Sequence, residues 1–163
     1  MPQKVFISHK DSDSITARQV AQRVKQNGLS VYLDVIDPAL RKDGPDLADY
    51  LLERMSQCQQ LIAVISRETQ ASWWVPWEIG VGSEKNFRMA TYATQSATTV
   101  PEYLRKWPVL RSGGDIDTYC RTSQQSLAAQ RILESRGNVS TASIRKSASD
   151  SFHRNLKSAL GQR

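Results

Sequence analysis

Cysteine and histidine are scarce in this chain: Cys58, Cys120, His9 and His153 are all that 163 residues contain. The two cysteines lie far apart and form no C-x-x-C pair, so the sequence offers neither a disulfide framework nor a zinc spacing. No metal site is expected. Met1-Pro2-Gln3-Lys4 leads straight into a strand-like run rather than a signal peptide, so the thiols are expected to be reduced and the protein cytoplasmic. Long apolar runs are missing too. The most apolar, Leu61-Ile62-Ala63-Val64-Ile65, falls far short of the roughly 20 residues that span a bilayer, which argues against a membrane role. There is no G-x-x-x-x-G-K-[ST] loop. Gly80-Val81-Gly82 falls inside a predicted helix, where it cannot act as a dinucleotide fingerprint.

Hydrophobic residues make up 39% and charged residues 23% of the chain, which suits a soluble domain with a real core. The net charge of +6 is uneven. Residues 141–163 carry Arg145, Lys146, Arg154, Lys157 and Arg163 against Asp150 alone, which is +4 of that total. These cations are scattered among serines without interleaved aromatics. A solvated helical surface is therefore expected, and nucleic acid is not expected as a partner.

Hydrophobic periodicity organises the first two-thirds of the chain. Lys4 to Ser8 reads as a buried strand, followed by a polar loop and a helix that Asp13 or Ser14 can cap. Ala17, Val20, Ala21 and Val24 face its core side, and Asn27-Gly28 stops it. Ser30 to Asp34 is the second strand. After a loop ending at Gly44, Pro45 opens a helix whose apolar face is Leu47, Leu51, Leu52, Met55 and Cys58. Leu61 to Ser66 is the third strand, and Met89 to Ala93 the fourth. Trp107 to Leu110 is a fifth, and Pro108 confines it to an edge. Strands alternating with helices argue for a parallel sheet covered on both faces. Ligands then bind beyond the carboxyl ends of the strands, where the loops 8–13, 34–44 and 66–78 converge.

Beyond residue 110, Ser112 to Asp115 reads as a turn and Asp117 to Glu134 as a helix anchored by Leu127, Ile132 and Leu133. Residues 140–160 are serine-rich. Their few apolar residues (Ile144, Phe152, Leu156, Leu160) fit one helical stripe that can dock on the domain, and partial disorder fits equally.

The segment Ser72-Trp73-Trp74-Val75-Pro76-Trp77-Glu78 is the most informative stretch. Pro76 fits a first helical turn, which places Glu78 just inside a helix start and near its positive dipole end. A fixed carboxylate among tryptophans, at the end of a buried strand, suits a planar, cationic or sugar-bearing ligand. The simpler reading is a favourable helix-start charge, with at least one tryptophan in the core.

Together these pieces resemble a bacterial TIR (Toll/interleukin-1 receptor) domain over roughly residues 3–120. The resemblance rests on Val5-Phe6-Ile7-Ser8-His9 with Asp13, and on Tyr32-Leu33-Asp34 before a loop ending at Gly44. Ile65-Ser66 and the Ser72, Trp74, Glu78 spacing complete it. The family's frequent Cys after the Trp is Val75 here. The resemblance implies a flavodoxin-like fold with a central parallel five-stranded sheet and helices on both faces. It divides the chain into a TIR domain (1–120) and a helical, basic C-terminal extension (121–163).

Functionally, it implies cleavage of the nicotinamide–ribose bond of NAD⁺, as substrate rather than cofactor, to ADP-ribose or a cyclic or conjugated form. It also implies service in antiphage defence of the Thoeris type through a separate effector. Glu78 is then the catalytic residue, and Phe6, Ser8, Asp34, Ser66 and Trp74 lie near the nucleotide. The 35–44 loop would serve as lid and self-association surface. A non-catalytic TIR interaction module is the alternative, and it needs no carboxylate at 78. A nucleoside deoxyribosyltransferase-like enzyme would also place a carboxylate at a ribose. A response regulator is disfavoured, because Ser66-Arg67-Glu68 lacks the phosphate-accepting Asp after the third strand.

Overall fold

The computed structural model describes residues 3–33 and 44–163. Five strands form one parallel sheet: β1 (Lys4–Ser8), β2 (Ser30–Leu33), β3 (Gln60–Ile65), β4 (Arg88–Ala93) and β5 (Val109–Leu110), in the order β2-β1-β3-β4-β5. The chain is α/β, with helices α1 (Ser14–Gln26), α2 (Gly44–Ser56), α3 (Trp74–Glu84), α4 (Gly113–Arg136) and α5 (Thr141–Ala159). Strand β1 leads leftward to β2, whereas β3 to β5 build rightward. The order therefore reverses between β1 and β3, where such sheets open a crevice at their carboxyl ends.

Strand alternation decides which residues meet which layer. Val5, Ile7, Ile62 and Val64 face a core closed by α1, α4 and α5 through Val20, Val24, Ile116, Tyr119, Phe152 and Leu156. Phe6, Leu61, Ala63 and Ile65 face the other core, closed by α2 and α3 through Leu51, Met55, Val75 and Ile79. Gly82 lets α3 come close to the sheet. A Cβ there would stand 3.3 Å from Leu61 Cδ1 and 3.4 Å from Phe87 Cδ2, tighter than an interior normally allows.

Several local expectations are corrected. Leu52 lies at the exposed edge of α2, outside its apolar face. Helix α4 begins at Gly113, inside the expected turn, because the Ser112 hydroxyl accepts from the Asp115 N–H at 3.1 Å and caps it. Its anchors are Ile116, Tyr119 and Cys120, whereas Ile132 and Leu133 are exposed. Helix α4 runs unbroken through position 120 and ends at Gly137, whose φ of 68° only glycine adopts freely. Bidentate hydrogen bonds from Arg23 to Asp117, at 2.7 and 2.5 Å, latch α1 to α4. With Asn27 also donating, they hold the exposed Asp117 carboxyl down at about 2.

Helix α5 lies along the β4–β5 edge. The Ser149 hydroxyl donates to Phe87 O at 2.9 Å, and His153 Nε2 accepts from the Met89 N–H at 2.9 Å. The Gln162 side-chain amide accepts from Val109 N–H at 2.9 Å and donates to Val109 O at 2.6 Å. Burial pushes the His153 pKa down to about 4; Asp150 opposes this, and Lys106, Lys157 and Arg88 reinforce it. The folded state therefore prefers neutral His153. Stability should be full above pH 6.5 and fall as pH drops toward 4, by up to about 2–3 kcal/mol given partial exposure. Urea titrations across that window should show the slope, and His153→Gln should flatten most of it. An unchanged slope in the variant would contradict the assignment.

Candidate active site

Ser8 ends β1 on the same face as Phe6, so its side chain turns toward α3. There the Ser8 hydroxyl donates a short hydrogen bond to Glu78 Oε2. Glu78 is only 2% exposed. Within α3 the buried positions are Val75, Glu78, Ile79 and Gly82, a helical stripe facing the sheet. Glu78 thus occupies a position where periodicity calls for an apolar side chain. A carboxylate held there is costly unless hydrogen-bonded, and Ser8 supplies such a bond.

The helix start corrects one expectation. Helix α3 begins at Trp74, with the Ser72 hydroxyl accepting from the Val75 N–H at 3.3 Å. Pro76 does sit in the first turn, but Glu78 is the fifth helical residue, past the turn where the dipole acts most strongly. Its position is set by packing under β1 more than by the helix end.

The tryptophans divide. Trp73 is 91% exposed, Trp74 is 37% exposed, and Trp77 packs against the α2–α3 core. Trp74 and Trp77 meet edge to face, with centroids 5.4 Å apart. Trp74 stands four residues before Glu78, so the two share a helix face. Phe6 is fully buried and stacks on Tyr32 at 5.2 Å, beneath Ser8. Asp34 and positions 35–43 of the expected lid lie outside the described residues.

Ser66 joins the two loops that flank the crevice. Its hydroxyl donates to Asp13 Oδ2 at 2.7 Å and accepts from the Glu68 N–H at 3.1 Å, while its own N–H donates to Thr69 Oγ1 at 2.8 Å. Asp13 accordingly tethers the β3–α3 loop instead of capping α1 with its side chain. By pattern alone Asp13 reads only as a cap or motif residue, because a bond across 53 positions leaves no local trace. Ser66→Ala should lower stability by about 1–2 kcal/mol through the lost cap and buried bond. Chemical denaturation would read this, and an unchanged midpoint would count against the joint.

His9 is buried beside Ser8, with Nδ1 3.5 Å from Ile7 O. Burial lowers its pKa first, and Arg18 does so too, against the Ile7 carbonyl, Asp11 and Asp13. Its imidazole is therefore neutral near pH 7. On the far flank of α3, a cavity of about 340 Å³ is lined by Ile65, Ser66, Val75, Pro76, Ile79 and Leu104. It shares Ser66 with the crevice and shares α3 with Glu78, but neither Ser8 nor Glu78 lines it.

A family model for the TIR domain matches residues 5–126. The chain belongs to the TIR domain family. Its match contains Ser8, Ser66, Trp74 and Glu78 and the whole five-stranded sheet except Lys4. A curated relative, the probable 3' cyclic ADP-D-ribose synthase ThsB' of Bacillus cereus (strain MSX-D12), is 33% identical over 79 residues. That stretch is 47% of this chain and 41% of the relative, so less than half of the relative's length is matched. Among solved structures, the TIR domains of the activated Roq1 resistosome directly recognizing the pathogen effector XopQ align with a TM-score of 0.46 at 13% identity. The alignment covers 93% of this chain and 84% of that one. No helix among the described residues is long and apolar enough to cross a membrane.

Proposed function

We propose that this TIR domain cleaves the nicotinamide–ribose bond of NAD⁺, with Glu78 as the catalytic carboxylate. The observation that carries the reading is Glu78 itself, a carboxylate held by Ser8 on the core face of α3, at the crevice between β1 and β3. Nicotinamide departs as a neutral molecule with the electron pair of the broken C–N bond, so no general acid is needed. Positive charge develops on the ribose, as in glycoside hydrolysis. A fixed carboxylate stabilises that charge most where water is excluded. Ser8 orients Glu78, and its hydroxyl can release the carboxylate to ribose hydroxyls as substrate enters. Trp74 offers a partly exposed face for the nicotinamide ring.

A nucleophile then bonds to the ribose C1' and loses a proton. Water gives ADP-ribose, whereas a ribose hydroxyl or adenine nitrogen of the same molecule gives a cyclic form. The relative named as a cyclic ADP-D-ribose synthase supports the second outcome. Such a product would act as a signal for a separate effector, and antiphage defence is the setting that fits. Self-association through the 35–44 loop would complete the pocket, and the exposed Trp73 suits a contact between copies. NAD⁺ is the substrate, and no resident cofactor is invoked.

Incubating the purified protein with NAD⁺ and following nicotinamide by chromatography and the nucleotide product by mass spectrometry tests the reading. Release is expected, with specific activity rising with protein concentration. Absence of release at every concentration would leave the non-catalytic interaction module as the better account.

A further inference from the structure

The opposite, amino-terminal end of the sheet carries a second polar centre that the Ser8–Glu78 chemistry leaves unused. Arg88 opens β4 and is only 4% exposed. Its Nη1 reaches Gln130 Oε1 at 3.4 Å and its Nη2 a short bond to Gln3 Oε1, while its buried Nε has no hydrogen-bond partner. Both acceptors are neutral amides. The network behind them is neutral as well: Gln60 donates to Gln3 Oε1 at 3.2 Å and accepts from Tyr119 and Ser123, both at 2.7 Å. Among the described residues the ion pairs are Arg23–Asp117 and Lys146–Asp150, and neither includes Arg88. Glu134 reaches this centre only through Gln130, whose amide it accepts at 2.8 Å. Burial lowers the affinity of Arg88 for its proton, yet a guanidinium stays charged in proteins. A buried cation without a counter-charge is costly to hold.

A cavity of about 110 Å³ opens beside it, lined by Arg88, Lys85, Arg145, Gln3, Gln130 and Ser149 among others. Lys85 follows the last turn of α3, and Arg145 stands on α5, so three cations from three elements surround one concavity. Among the described residues, no acidic side chain lines it. Pockets that enclose whole small molecules run to about 300–1,000 Å³, so this one suits a single tetrahedral oxyanion. Guanidinium and amide donors match the oxygens of such a group.

We propose that this basal cavity binds a phosphate group, with Arg88 as its buried ligand and Lys85 and Arg145 as its rim. The group is either free inorganic phosphate or the terminal monoester of a small metabolite whose remainder projects into solvent. Occupancy would tie together the end of α3, β4 and α5. Because α3 carries Glu78, the site is placed to act on the crevice from the far end of the same helix.

Thermal unfolding of the full chain at pH 7 tests this, with inorganic phosphate, ribose 5-phosphate, ribose and sodium chloride at matched ionic strength. Phosphate and ribose 5-phosphate are expected to raise Tm saturably, as ligands of the native state do, while ribose and chloride leave it unchanged. Tighter binding of ribose 5-phosphate would identify a metabolite monoester, and equal binding would identify the free anion. The Lys85→Gln/Arg145→Gln double variant changes only exposed side chains, and should bind phosphate at least tenfold more weakly. Glu78→Gln should keep the full shift, so this result is independent of the activity assigned to Glu78. A phosphate shift no larger than that of chloride, or one undiminished in the double variant, would overturn the proposal. So would protection by an acidic peptide alone.

Discussion

Glu78→Gln should reduce nicotinamide release from NAD⁺ by at least about 100-fold, the scale on which removal of one preorganised electrostatic contact acts in a dry site. Gln keeps the shape of Glu and keeps an oxygen able to accept from Ser8, so the architecture around α3 is preserved. What it loses is the negative charge that would stabilise the ribosyl cation. Stability should change by less than about 1 kcal/mol, or roughly 2–4 °C in Tm for a chain of this size, because the buried charge costs free energy as well as contributing a bond. Activity and stability thus separate, which a purely structural glutamate would not allow. Parallel assays of nicotinamide release and thermal unfolding on the same preparations decide it. Equal release by both proteins would remove Glu78 from catalysis.

Phe152→Ala is expected to produce the largest stability effect. Phe152 is fully buried on α5, meets Tyr119 of α4 edge to face at 5.4 Å, and belongs to the core that also holds Val5 and Ile7 of β1. Truncating a fully buried phenylalanine costs about 3–5 kcal/mol through lost transfer energy and the cavity left behind. That corresponds to a Tm lower by about 6–20 °C. Urea denaturation followed by tryptophan fluorescence, with circular dichroism in parallel, should show one earlier transition in both signals. A midpoint unchanged from the wild type would mean that the second half of the chain is not part of this core.

Much of this arrangement was legible in the sequence, because strands and helices with a buried face carry their period openly. Leu61 to Ile65 and the Ala17, Val20, Ala21, Val24 stripe are such cases, and the order of elements then fixes a parallel, two-faced sheet. Glu78 was legible as well, through its spacing from Ser72 and Trp74. Its bond to Ser8 bridges 70 positions and follows only once β1 and α3 are set side by side. Helix α4 starts earlier than its pattern suggests and is anchored elsewhere, for physical reasons. The Ser112 cap overrode the low helix propensity of Gly113 and Gly114. Tyr119, more than the leucines downstream, anchors the helix, with its hydroxyl satisfied by Gln60 inside the core. The Arg88 centre gave no signal at all, since a lone arginine before an apolar strand reads as a surface residue.

The Gln162 amide presents to Val109 the same donor and acceptor that a sixth strand would offer. An open, parallel edge is a template on which another chain's backbone can add. With β5 only two residues long and its central peptide already engaged, that template is blunted. Any association at this edge would therefore run through side chains and loops rather than by continuing the sheet past β5. Such contacts can be broken and remade without unzipping the fold.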